Sequence, residues 1–208
     1  MEGDSMKFEN VLNKILKEEG GFVNDPADSG GKTKAGITQK TYDAFRRKKH
    51  VPTRSVAFAR KVEIAEIYEN IWVESRAALL HPGLNLMHFD FAVNAGNLKS
   101  AITLQQLVDV TQDGIIGPKT LAAAALQHPE ELIMRYADAR RAFYNALASR
   151  REKDKRFLRG WLLRTNRIEN ESLTAAANET KLTYSTDTCS GSQSAERVEN
   201  NRGNELVP

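Results

Sequence analysis

A single cysteine, Cys189, in 208 residues excludes an intramolecular disulfide framework and any cysteine cluster for a metal. It lies in a Ser/Thr-rich stretch with no histidine after it, a poor setting for a thiol nucleophile. The four histidines, His50, His81, His88 and His128, form no H-E-x-x-H motif. The loose His81/His88 pair is their nearest approach to ligand spacing, so no metal site is expected. No run approaches the roughly 18 consecutive apolar residues that argue for a membrane helix. Met1-Glu2-Gly3-Asp4-Ser5 has neither the basic nor the apolar part of a secretory leader. The expectation is synthesis in the cytoplasm, with any target beyond the inner membrane reached by release or dedicated export.

An excess of one charge is also lacking, with 30 Lys and Arg against 27 Asp and Glu, a net +3. The charge is unevenly spread. Between Arg135 and Arg167 there are eleven basic residues and three acidic ones, a local +8. Such a stretch is either a face for an anionic wall polymer or membrane surface or an ordinary solvated helix face. No nucleic-acid motif accompanies it, so nucleic acid is not expected as a partner.

The 40% hydrophobic content fits one or two compact units, and helical periodicity dominates what is present. Phe8, Val11, Leu12, Ile15 and Leu16 make positions 7 to 19 an amphipathic helix. Thr38 is a good N-cap for a segment reaching Phe45, with Tyr42 and Phe45 as its buried residues. Residues 55 to 79 read as one or two helices on which Tyr68 and Trp72 share a face, either as core or as rings on which a sugar stacks. Leu86 to Val93 is apolar enough to be buried. Further helices are expected over about Lys99 to Val110, Lys119 to Leu126 opened by Pro118, and Pro129 to about Arg167 with a break near Arg150 or Gly160. From Glu169 large apolar residues become rare, and 169–208 reads as a polar, disordered or loosely attached tail. No segment alternates strongly, so the class is mainly α with at most a short β-hairpin in the Gly-rich loop.

The most informative stretch is Glu19-Gly20-Gly21-Phe22 with Asn24-Asp25-Pro26-Ala27-Asp28-Ser29-Gly30-Gly31-Lys32-Thr33. Glu19 falls on the apolar stripe of the first helix and in its last turn, where the helix dipole disfavours a negative charge; both effects favour the protonated acid. Gly20 and Gly21 supply a left-handed cap and a sharp turn, after which the loop can fold Asp28 and Thr33 back toward the Glu19 carboxyl. An acid and a water-activating partner are what glycoside hydrolysis requires. Asp25 competes with Asp28 for the second role, although its place before Pro26 also suits a turn.

This run, with Gly36-Ile37-Thr38, resembles the E-G-G-[YF] signature of the glycoside hydrolase family 108 N-acetylmuramidases. Phe89-Asp90-Phe91-Ala92-Val93-Asn94-Ala95-Gly96, Leu104-Gln105-Gln106 and Asp113-Gly114-Ile115-Ile116-Gly117-Pro118-Lys119-Thr120-Leu121 resemble the peptidoglycan-binding region that accompanies that hydrolase. The resemblance covers about residues 8 to 165. It implies a lysozyme-like helical fold, cleavage of the β-1,4 bond between N-acetylmuramic acid and N-acetylglucosamine, Glu19 as the essential acid, and no cofactor. Members serve as phage endolysins or secretion-associated muramidases. Phe22 stands where Tyr is commoner, which removes one hydroxyl. Asn94 and Gly96 would offer an amide and open backbone to an N-acetyl group, or form an ordinary Asx turn or cap. The Asp113 to Thr120 turn is either a contact for glycan or stem peptide or a helix connector. The expected organisation is a catalytic region over 7–92, a helical peptidoglycan-binding region over 93–168 and the tail, in a monomer. The competing reading is a non-catalytic, wall-binding scaffold on the same fold.

Overall fold

The computed structural model describes residues 8–18, 22–24 and 32–190. Helix α1 (Phe8–Glu18) leads into strands β1 (Phe22–Asn24), β2 (Lys32–Lys34) and β3 (Ile37–Thr38), followed by α2 (Gln39–Lys48), α3 (Lys61–Ser75), α4 (Leu84–Ala95), α5 (Asn97–Leu107), α6 (Pro118–Ala125), α7 (Pro129–Arg150) and α8 (Lys155–Ser190). Short 3-10 turns at Val56–Phe58, Ala77–Leu79 and Glu152–Asp154 connect some of them. The mainly α class expected from periodicity is what the chain adopts, as the lysozyme-like fold implied by the resemblance requires.

Helix α4 is the centre. Every residue from Leu84 to Ala92 is buried, so the helix is enclosed all round rather than on one stripe, the pattern of a core helix. It touches α3, α5, α7 and α8. The caps follow the expected chemistry: the Thr38 hydroxyl accepts from the Thr41 N–H at 3.1 Å, and Pro118 and Pro129 occupy first helical positions. Tyr42 and Phe45 are buried as anticipated. Glu63, third residue of α3, fastens α2 to α3. Its carboxylate accepts from the Arg60 N–H, the Tyr42 hydroxyl, Arg46 and Arg54. Burial alone would raise its pKa, but these donors outweigh it and hold the carboxyl down to about 2.

Two expectations need correction. The Gly-rich loop carries three strands rather than at most a hairpin, in antiparallel order β1-β2-β3, with Val23 opposite Thr33 and Thr33 opposite Thr38. Ala35 (φ 46) and Gly36 (φ 73) form the two-residue connection between β2 and β3. Two positive φ values in succession match the right-handed twist of tight hairpins.

The second correction concerns the stretch from Glu169. It is not a loose tail: α8 continues to Ser190, and Ile168, Ser172 and Ala176 on one face are fully buried. Composition misleads there because the contact is made with small side chains and backbone instead of bulk. A Cβ on Gly83 would lie 2.3 Å from the Ser172 carbonyl oxygen, so only glycine lets α8 cross the start of α4. Residues 191–208 lie outside the described residues.

Candidate active site

Glu19 and Asp28 lie outside the described residues, whereas the supports on either side of them are in view. Helix α1 ends at Glu18, immediately before Glu19. Phe8 and Leu12 pack on the core and Val11 is fully buried in it, three members of the expected stripe. Phe8 meets Trp72 at 5.9 Å between ring centroids and Phe89 at 6.4 Å. Trp72 in turn stands edge-on to Phe89 at 5.1 Å, so rings from α1, α3 and α4 form one aromatic cluster.

Thr33 occupies the central strand and is partly buried. The hairpin that carries it is pinned from outside by three hydrogen bonds. Lys34 Nζ donates to the Ala57 and Ala59 carbonyls at 2.8 and 2.9 Å, and the Tyr68 hydroxyl donates to the Ala35 carbonyl at 2.8 Å. Ala35 is the non-glycine residue of this turn and is held at positive φ, and the Tyr68 bond falls on that strained residue. Lys34 was not foreseen as a fastener. The signal was its place between a strand and an Ala-Gly turn, but its acceptors lie more than twenty residues away.

Tyr68 and Trp72 are not sugar platforms. Tyr68 is 0% and Trp72 7% exposed, and both rings are spent on the aromatic cluster. Asn94 is exposed in the last turn of α4 rather than in an Asx turn, and its Oδ1 accepts from the Tyr144 hydroxyl at 2.8 Å. Gly96 joins α4 to α5 with φ 89, and the space where a Cβ would stand is open. The structure therefore groups Thr33 and Tyr68 at one place, through the hairpin, and Asn94 and Gly96 at the α4–α5 corner.

The basic run is partly internal. Arg140 is fully buried and donates to Asp90 Oδ2 at 2.6 Å, while Arg164 bonds Asp90 Oδ1 at 2.8 Å. Burial opposes ionisation of Asp90, but Arg164 and Arg140 outweigh it and hold its carboxyl below the usual range. Arg141 pairs with Asp138 and Glu169, and Arg135 donates to the Leu107 carbonyl. The Asp90 triad was missed, although a lone acid inside the apolar run Leu86 to Val93 demands partners.

His88, also in that run, is fully buried. Its Nε2 lies 3.1 Å from the Ser75 carbonyl, an acceptor that requires Nε2–H, and its Nδ1 lies 3.0 Å from the Tyr136 hydroxyl. Burial pushes the imidazole down to about 4 against the opposing effect of the Ser75 bond. Among the described residues, no group of three or more His, Cys, Asp or Glu is placed to hold a metal ion.

Beyond α5 the Asp113–Gly114 turn is built around Gln105. Its amide nitrogen donates to Asp113 Oδ1 at 2.6 Å and to the Ile115 carbonyl at 3.0 Å, and its oxygen accepts from the Gly114 N–H at 2.9 Å. These bonds and the Ile115 N–H keep the Asp113 carboxyl below its ordinary pKa. An open pocket of about 440 Å³ lies over this turn and the start of α6.

A small sheet packed beside a bundle around one buried helix, followed by a second helical region, defines a lysozyme-like protein. Residues 12–96 match glycosyl hydrolase 108 and residues 99–166 match the predicted peptidoglycan domain. The solved structure of Brucella abortus SagA is similar, with TM-score 0.75 and 30% identity over 82% of this chain and 96% of that one. No curated protein matches the chain. The chain belongs to the glycosyl hydrolase 108 family and is a peptidoglycan hydrolase, with a peptidoglycan-binding region as its second half.

Proposed function

We propose that the enzyme is an N-acetylmuramidase that hydrolyses the β-1,4 bond between N-acetylmuramic acid and N-acetylglucosamine, with Glu19 as general acid. The observation that carries this reading is the match of residues 12–96, which include Glu19, to glycosyl hydrolase 108, in a chain whose α1 is anchored in the core by Phe8 and Val11. A carboxyl at a helix C-terminus is disfavoured as an anion, which suits an acid that must still hold its proton near neutral pH. Glu19 gives that proton to the glycosidic oxygen as the bond to the muramic-acid anomeric carbon breaks. Asp28 takes a proton from the water that attacks that carbon, and the Thr33 hydroxyl orients the water. The hairpin bonds from Lys34 and Tyr68 support this role for Thr33 by fixing the strand.

The enzyme works on the wall as a monomer, after holin-type release in phage lysis or after dedicated export in a secretion role. Digestion of purified sacculi, read by mass spectrometry with and without borohydride reduction, tests the bond. Reducible muramic-acid ends are expected. Reducible glucosamine ends would move the cleavage to the other linkage, anhydro ends would make the enzyme a transglycosylase, and binding without any release would leave a scaffold.

A further inference from the structure

We infer that the pocket over the Asp113–Thr120 turn is a subsite for the peptide stem of peptidoglycan. The inference rests on the peptidoglycan hydrolase reading and adds the part of the substrate that the second region holds. The pocket, about 440 Å³, has an apolar side from Val110, Ile115 and Pro118, the Thr111 hydroxyl, and two opposite charges, Asp113 and Lys119. No aromatic residue lines it. A glycan strand is uncharged along its rings and is commonly met by stacked aromatics. A stem peptide carries carboxylates, an amino group on its diamino acid and methyl side chains. Asp113 fits the ammonium, Lys119 a carboxylate, and the apolar side the alanine methyls.

The charged groups are available in different ways. The Gln105 amide and the Ile115 N–H fix the Asp113 carboxylate through Oδ1, so it is held in place without help from a ligand. Lys119 is exposed on the first turn of α6. Ile115 is 61% exposed at the pocket, apolar surface that a peptide would cover. The turn is also tied to the catalytic half, because Arg76 Nη1 donates to the Ile116 carbonyl at 3.1 Å.

The test compares the full-length enzyme with Lys119→Glu on two substrates, intact sacculi and glycan strands stripped of stems by an amidase. Wild type is expected to prefer the peptide-bearing substrate by about tenfold in kcat/KM, and Lys119→Glu to reduce that preference to near one. In parallel, a diaminopimelate-containing stem tetrapeptide, titrated into the protein, is expected to shift the amide resonances of Ile115, Lys119 and Thr120. Equal preference in wild type and variant, with no shift of those resonances, overturns the subsite. Absence of product from either substrate with the wild type would instead overturn the hydrolase reading, while the titration still reports on the pocket.

Discussion

Around α4 the chain buries charge and closes every side, with Arg140 and Asp90 both shut off from solvent and His88 fully enclosed. Around the β2–β3 hairpin it does the reverse, placing a strained turn at the edge of a small sheet and fastening it with three side-chain hydrogen bonds. A buried charge network is costly to disturb anywhere, because removing one partner strands the other. A pinned hairpin can loosen locally while the rest stays folded. Global stability is therefore assigned to the α4 hub, while the hairpin carries Thr33, the residue proposed to orient the attacking water.

The sharpest way to break that division is Asp90→Asn. It leaves the Arg140 guanidinium buried without its counter-charge and should destabilise the protein by about 3–5 kcal/mol. Urea unfolding measures it, and a loss under 1 kcal/mol would contradict the hub's role. The His88 imidazole gives a pH version of the same contrast. Its folded value of about 4 lies below its unfolded value near 6.5, so the unfolded chain binds the extra proton first. The stabilising contribution is complete above pH 6.5 and is lost as the pH falls toward 4, by about 3 kcal/mol in all. Melting curves across that range should show the decline, and His88→Asn should flatten it.

The hairpin should respond differently. Lys34→Met removes two charged hydrogen bonds and should cost about 2 kcal/mol. Its main effect is expected in kcat against sacculi, with faster amide exchange confined to β2, β3 and Val56–Phe58. Tyr68→Phe, which takes away the hydroxyl bound to Ala35, should cost about 1 kcal/mol and again lower activity more than stability. If either variant lowers activity only in proportion to its loss of folded protein, the separation between hub and hairpin fails.

The same contrast explains what could be read from the sequence. Periodicity and cap chemistry placed most helices, because Thr38, Pro118 and Pro129 act through their own neighbours. Partners far along the chain leave no such local mark. Asp90 finds Arg140 fifty residues on, and Lys34 finds carbonyls beyond twenty. Tyr68 and Trp72 have the same helical spacing whether they face a sugar or a core, and only packing against Phe89 decides for the core. The buried stripe of Ile168, Ser172 and Ala176 escaped notice because two of its three residues are small. The Ala35–Gly36 turn beside Thr33 left no such mark, since the Lys34 and Tyr68 bonds that fasten it reach across more than twenty residues.

The measurement that bears most directly on the central claim is the rate of muropeptide release from sacculi by Glu19→Gln, taken beside its melting curve. Loss of a general acid costs typically 10²–10⁴-fold, so a fall in rate of that size is expected with the melting temperature of the wild type retained. Activity within a few-fold of wild type would remove Glu19 from the chemistry and contradict the account.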